Sequence, residues 1–307
     1  MHKINFTNIG ADPEFFVITK DLGEPMSSIA FTNGTKGDPE DLGNGYSAMV
    51  DNLTLEGNIP PTTSREGFID NVKILKSLLQ EMILSTIYEG VLYSSGELEF
   101  PKELAESKRG QEFGCSDVYY AWEGLYDQFC RDCECVGKRS PSLKHSRIRT
   151  AGFHIHIGYS VEDPIFTKEA YDVIISKMFD LFLTLPAFKI KYEPFRLSNF
   201  GYPGNFRSKS YGVECRTLSS YFTRDPYLGW VYDQVKDMFD YINTLTEEEL
   251  VKLLQRKFYI YSDTNVDDYS VNIFKFLKDE FPNVQQIFNR SFNITEYDKE
   301  KANIHIS

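Results

Sequence analysis

The stretch Thr150-Ala151-Gly152-Phe153-His154-Ile155-His156-Ile157-Gly158-Tyr159 decides the fold. Two of the five histidines stand two residues apart between isoleucines, and a glycine closes each end. Successive side chains of a strand alternate faces, so His154 and His156 point one way while Phe153, Ile155 and Ile157 point the other. A strand with an apolar back and two imidazoles on its front offers a surface to a metal ion or a phosphate. Two neutral histidines alone would equally suit a solvated sheet face. The reading therefore turns on whether other strands bring carboxylates and arginines to the same side.

Several do. Residues 9–18, Ile-Gly-Ala-Asp-Pro-Glu-Phe-Phe-Val-Ile, predict a strand that starts at Pro13, because proline is tolerated at a strand start or edge. Glu14 is then an acid among apolar strand formers, on the face of Phe16 and Ile18, and a charge so placed is at an edge or bound to something. Residues 49–59 predict one strand with Asn52, Thr54, Glu56 and Asn58 on a polar face opposite Leu53 and Leu55. Residues 96–101 predict another, with Glu97 and Glu99 side by side and Pro101 as its end. Residues 211–219 predict a strand carrying Glu214 and Arg216 on one face, and the Gly/Pro-containing segment 195–207 predicts a structured loop presenting Arg196 and Arg207. Arg149, just before the histidine strand, is placed to reach a ligand there.

Between the strands lie amphipathic helices. Thr63-Ser64-Arg65-Glu66 reads as a capping box, and Phe68, Val72, Leu75, Leu78, Leu79 and Met82 follow at helical spacing. Residues 167–185, 225–243, a segment opened by Thr246-x-x-Glu249, and 271–278 predict further helices, and one is expected near 119–129. Residues 19–46 read as loops and short hairpins. No repeat of fixed period and no linker interrupts the chain, which predicts a single domain over 1–307 with 225–307 a mainly helical C-terminal part.

Bulk properties narrow the function. At 307 residues, 41% hydrophobic and 25% charged, the chain can bury a large core and is not a disordered one. A net charge of −12 excludes nucleic-acid binding through a general basic surface, and it permits a carboxylate-rich site that cations neutralise. No apolar run reaches membrane-span length and the N-terminus lacks a signal-type apolar core, so the expected location is the cytoplasm. Five cysteines fit reduced thiols; Cys130, Cys133 and Cys135 cluster without a second CxxC, which makes packing beside a helix end a better reading than zinc.

Clustered carboxylates raise one another's pKa unless cations hold them ionised. Carboxylates with one or two imidazoles suit Mg²⁺ or Mn²⁺, and arginines beside them suit phosphate oxygens. Metals and arginines on one sheet face point to a nucleoside triphosphate. No GxxxxGK[ST] loop is present, so phosphate would be held by metal and side chains.

In order along the chain stand Gly10-Ala11-Asp12-Pro13-Glu14-Phe15-Phe16, Asp51-Asn52 with Glu56-x-Asn58-x-Pro60, Phe113-Gly114-Cys115, Ala151-Gly152-x-His154-Ile155-His156-Ile157-Gly158, and Tyr211-Gly212-Val213-Glu214-x-Arg216-Thr217-x-Ser219. Together they resemble the phage-encoded COOH–NH2 ligases, amidoligases with the glutamine synthetase/glutamate–cysteine ligase type of fold. The resemblance runs from about Gly10 to Ser219, with Cys215 where an aromatic residue is expected and Phe153 where a small one is common. It implies an α+β fold: a curved, mainly antiparallel sheet, a half-barrel, with the active site on its concave face and helices on the convex one. ATP with two or three Mg²⁺ ions (or Mn²⁺) would occupy the concave face, in the host cytoplasm if the protein is phage-encoded. ATP would phosphorylate a carboxylate and an amine would attack the acyl phosphate. Carried onto this chain, Glu14, Glu56, Glu97, Glu99, His154 and Glu214 would ligate metal. His156 would lie nearer the phosphates, and Arg207, Arg216 and Arg196 would bind phosphate or acyl phosphate.

Two other readings compete. The HxH strand also fits a metal-dependent hydrolase or cupin-like oxygenase, although the arginines and surplus carboxylates do not; the third reading is a non-catalytic protein that keeps the fold. The expected partners of the ligase are small-molecule or peptide carboxylates and amines, with no nucleic acid and no membrane. The loops 32–44 and 138–149 are the expected selectors of the amine.

Overall fold

The longest strand, β1 (Lys3–Thr19), has partners on both of its edges. β10 (Phe153–Glu162) runs antiparallel along its first part, from Lys3 opposite Glu162 to Pro13 opposite Phe153. β5 (Thr54–Asn58), β6 (Gly90–Tyr93) and the short β2 (Pro25–Met26) pair with the rest. Beyond β5 lie β4 (Tyr46–Asp51) and β3 (Glu40–Gly43); beyond β10 lie β12 (Gly212–Cys215), β11 (Asn205–Lys209) and β8 (Tyr119–Tyr120). These ten strands make one sheet, antiparallel at every pairing among the described residues. A computed structural model provides this description, and it covers residues 2–112, 119–122 and 146–258 with 272, 273, 275, 276, 279 and 280.

Alternation splits β1 into two faces. Ile9, Ala11, Phe15 and Val17 are buried in the main core with Phe153, Ile155 and Ile157 of β10. Helices cover that side. α1 (Arg65–Leu84) buries Phe68, Val72, Leu75, Leu79 and Ile83, a stripe at helical spacing. α3 (Lys168–Phe179) and α6 (Asp225–Ile242) bury their apolar faces in the same core. The architecture is thus α+β, with helices on one face of a mainly antiparallel sheet and a polar opposite face. At one end of the polar face a small apolar cluster of Phe16, Leu53, Phe100, Ala105 and Ala151 gathers around α2 (Lys102–Ala105). No helix among the described residues is long and apolar enough to cross a membrane.

Several sequence expectations need correcting. The strand does not start at Pro13 but runs through it, because Phe153 opposite gives its N–H to the Leu218 carbonyl and asks no hydrogen bond of the proline nitrogen. Residues 49–59 are a hairpin, not one strand: Asn52 and Leu53 turn between β4 and β5, and Asn52 takes the left-handed conformation (φ 54°) that asparagine tolerates. The cap of α1 is Ser64, whose hydroxyl accepts from the Gly67 N–H at 3.1 Å, so Thr63 and Glu66 form no reciprocal box. Residues 195–207 hold a short helix, α5 (Pro194–Asn199), and the start of β11 rather than a loop alone. Helix 167–185 continues through a wider turn at Asp180–Thr184 into α4 (Leu185–Ile190). Tyr119–Tyr120 is a strand; the rest of the expected helix there, the Phe113 motif and the Cys130, Cys133 and Cys135 cluster lie outside the described residues. The capping box of α7 (Glu247–Gln255) is present at Thr246 and Glu249. Arg224 stands at the N-cap of α6, with Pro226 in its first turn.

Candidate active site

Register places the polar side chains in a row across the sheet. Glu14 faces Glu56, Asp12 faces His154, His156 faces Glu214, and Glu214 faces Arg207. Acids on β4, β5 and β1 therefore occupy one side of the row and cations on β11 and β12 the other, with the two histidines of β10 between them.

On the acidic side, one donor atom each from Glu14, Glu56 and His154 lies within 4.8 Å of the others, and all three residues are buried. The His154 Nε2 is 3.7 Å from Glu14 Oε1, while Glu14 Oε2 accepts the Gly152 N–H at 2.6 Å. Gly152 is needed at that point, since a Cβ there would lie 2.5 Å from His154 Nε2. Burial, then the neighbouring Asp51 carboxylate, raises Glu14 above the ordinary range, against the pull of the Gly152 N–H and Arg196. Glu56 is raised further, by burial and then by Asp51 and Glu14. Burial, helped by Arg216, keeps the His154 ring well below its ordinary pKa and so neutral, the form that ligates metal. Glu56 Oε2 is buried with no hydrogen-bond partner. Two carboxylates forced together, a neutral imidazole and an orphaned buried oxygen are the requirements of a hard divalent cation, and the residues present fit Mg²⁺ or Mn²⁺.

On the basic side the buried Glu214 carboxylate is bonded by Arg216 and, at 3.2 Å, by Arg207 Nη1. Lys209 Nζ lies 2.7 Å from its other oxygen. Burial would raise this carboxyl, but Arg216, with His154 and Arg207 behind it, outweighs burial and holds it far below the usual range. Three cations against one carboxylate leave a surplus of positive charge, the condition for holding phosphate oxygens. His156 joins the two sides: its Nε2 is 2.7 Å from Asp12 Oδ2, and its Nδ1 is hydrogen-bonded to the Tyr211 hydroxyl.

The structure thus brings Glu14, Glu56 and His154 together, and sets Glu214, Arg207 and Arg216 beside them as an ion-pair cluster; Glu214 is engaged by cations and does not contribute to the three-residue metal group. Glu97 and Glu99 stand apart on a two-stranded sheet of β7 (Glu97–Glu99) and β9 (Ile148–Thr150). Glu97 accepts the backbone N–H groups of Phe195 and Arg196 at the start of α5 (3.1 and 3.2 Å), and exposed Glu99 pairs with Arg147. Arg196 donates to the carbonyls of Arg216 and Leu218 at 3.0 and 2.7 Å, which ties α5 to the end of β12. Arg149 is buried away from the row, bonded to the carbonyls of Ala105 and Gly110.

Five members of the row had no role in the sequence reading: Lys36 and Lys209, and Asp12, Asp51 and Tyr211, which stand in its motifs. Asp12 and Lys209 lie two residues from Glu14 and Arg207 and so share their faces, a signal visible once each strand is given its full length. Asp51 faces Thr54 across the hairpin, diagonal to Glu56. Lys36 has no local signal. It sits at the tip of a turn closed by reciprocal Thr35–Asp38 backbone bonds, and its ammonium lies 2.7 Å from Asp51 Oδ2. Burial tends to lower Lys36, but Asp51, Glu56 and Glu14 outweigh it and raise the ammonium above its ordinary value.

No protein-family model matches the sequence, and no curated protein matches it. Among solved structures, one described as the crystal structure of a novel glutamine synthase homolog aligns over 100% of this chain and 68% of its own, with 11% identity and a TM-score of 0.35. That likeness is distant, and the functional reading rests on the geometry of the row.

Proposed function

We propose that the protein is an ATP- and Mg²⁺-dependent carboxylate–amine ligase of the kind its motifs resemble, the phage-encoded COOH–NH2 ligases. The observation that carries this is the segregation of charge over adjacent strands of one sheet face: a buried Glu14, Glu56 and His154 group on one side, and Arg207, Lys209 and Arg216 around Glu214 on the other. A triphosphate needs both halves, cations to neutralise its oxygens and a metal site to orient them. Glu14, Glu56 and His154 would hold a divalent ion, which when bound neutralises phosphate charge as the terminal group transfers.

The chain's own groups do the rest. Arg207 and Arg216 grip phosphate oxygens, while Glu214 holds both guanidinium groups in place and keeps them from repelling each other apart. Asp12 and Tyr211 fix the His156 ring at the junction of the two halves. In the reaction a substrate carboxylate oxygen takes the terminal phosphoryl group, releasing ADP. The amine then bonds to the acyl carbon, phosphate leaves, and the nitrogen gives up a proton. The substrates are small-molecule or peptide carboxylates and amines.

The test is turnover. Purified protein with ATP, Mg²⁺ and mixed amino acids or peptides is expected to release ADP and phosphate in proportion to both a carboxylate and an amine. Arg216→Ala and His154→Ala should each abolish that release while folded by circular dichroism. Undiminished release from both variants, or release indifferent to the amine, would overturn the reading. Tightly bound zinc or iron with no affinity for ATP would instead support the hydrolase or cupin-like alternative.

A further inference from the structure

The acidic side of the row holds more carboxylate than one ion can neutralise. Asp12 is matched by His156, and Glu14, Glu56 and His154 make up one metal group. Asp51 remains, diagonal to Glu56 across the β4–β5 hairpin, and Glu56 keeps a buried oxygen with no partner although the residue is only 7% exposed. Lys36 pairs with Asp51, its ammonium 2.7 Å from Asp51 Oδ2, and leaves the buried Glu56 oxygen without a hydrogen-bond partner.

The arm that delivers it is built rather than incidental. The Gly34 carbonyl accepts the Val50 N–H of β4 at 3.0 Å, and Gly34 packs so close to that strand that a Cβ would meet the Ala48 carbonyl oxygen at 2.2 Å. The Thr32 hydroxyl accepts the Gly34 N–H at 3.0 Å and donates to Glu40 Oε2 at 2.5 Å. Two reciprocal backbone bonds between Thr35 and Asp38 then hold Lys36 at the turn tip. A lysine fixed in this way over a carboxylate cluster is a tethered monovalent cation in a place that oxygen ligands would otherwise offer to a divalent one.

We propose that the Lys36 ammonium, held on Asp51 diagonal to Glu56, takes the place of a second divalent cation and so limits the nucleotide-free protein to one metal ion. This rests on the reading of Glu14, Glu56 and His154 as a metal site. Any further metal ions of the catalytic cycle then arrive with the nucleotide phosphates instead of waiting in the empty site.

Mn²⁺ titration followed by the electron paramagnetic resonance signal of the free ion counts bound metal without any turnover. The full-length protein without nucleotide is expected to bind one Mn²⁺ per chain. Lys36→Met is expected to bind two, Lys36→Met/Asp51→Asn one again, and Lys36→Arg one. Circular dichroism and a melting curve check that each variant is folded, which is expected because Lys36 is half exposed. Two ions bound by the unaltered protein, or one ion at unchanged affinity in Lys36→Met, would overturn the role of Lys36 and leave the metal site standing. No Mn²⁺ bound by either protein would overturn both.

Discussion

Replacing Glu56 by glutamine should make the metal-free protein more stable while removing its response to metal. Glu56 and Glu14 face each other across β5 and β1, with donor oxygens within 4.8 Å, and Glu56 Oε2 has no hydrogen bond to lose. At an effective dielectric constant of about 20, two full charges at that separation repel by about 3.5 kcal/mol. Proton uptake and the Lys36 ammonium already relieve part of this, so the amide should recover about 1–2 kcal/mol. In a chain of this size that corresponds to a rise in melting temperature of about 1.5–3 °C.

The sign can be checked through pH. The folded pKa of Glu56 lies above its unfolded value, so the folded state binds the extra proton between the two, and stability is lost as pH rises through that window. The advantage of Glu56→Gln should therefore be larger at pH 8 than at pH 5 and disappear at lower pH, once the unfolded state is protonated as well. Differential scanning calorimetry in chelator measures it. In a second arm, Mn²⁺ at about 100 times its Kd should stabilise the wild type by about 2.7 kcal/mol and leave the variant unmoved. A variant that melts below the wild type in chelator, or that gains as much from Mn²⁺, would show that Glu56 is a structural acid and refute the reasoning.

Gly152→Ala puts a Cβ against His154 Nε2 and Cδ2, at 2.5 and 3.0 Å, so the ring must turn; Mn²⁺ affinity should fall about 10–100-fold with a nearly unchanged melting temperature, and unchanged affinity would mean that ring orientation is immaterial. Burial lifts Asp180 to about 7 despite donation from Trp122 Nε1 at 2.6 Å, while burial lowers nearby Lys177 to about 7. The folded Asp180 thus holds its proton over a range where the unfolded one has lost it, and stability falls as pH rises from about 4 to about 7. The urea midpoint of Asp180→Asn relative to wild type should accordingly be higher at pH 7.5 than at pH 5, and an equal difference at both would rule out the shift.

The parts of the fold readable from the sequence were those specified by a repeating pattern. The histidine strand announced itself because Phe153, Ile155 and Ile157 alternate with polar residues, and all three are indeed buried. Helices α1 and α6 followed from apolar spacing, and α7 from its complete capping box. The β4–β5 hairpin was hidden because Asn52-Leu53 lacks the glycine that usually marks a two-residue turn. Lys36 was hidden for a different reason. Its position depends on a turn pinned to a strand by backbone bonds, whose mark on residue type is Gly34, one of several glycines in that segment. Glu97 and Glu99 show the opposite error: their alternation was real, but the strand that carries them pairs outside the main sheet. Periodicity reports which face a residue takes and is silent on which sheet that face belongs to.

The same distinction explains how a charged row can be held in a stable fold. Burial of the two acids on β1 and β5, Glu14 and Glu56, costs stability rather than adding to it. Register is imposed from the opposite face, where Phe15 of β1, Leu55 of β5, Ile155 and Ile157 of β10 and Val213 of β12 are all fully buried under the helices. Slipping β10 by one residue against β1 would send Phe153 and Ile155 to the polar side and His154 into the core, a change that the apolar face forbids. The irregularity that the β1–β10 pair does contain falls between Phe6 and Asn8, away from Asp12 and Glu14, so the ladder from Asn8 to Pro13 stays regular where the site is built. The hydrophobic layer thereby fixes the position of charges that would separate if left to themselves, and a cation is the ligand such an arrangement is prepared to accept.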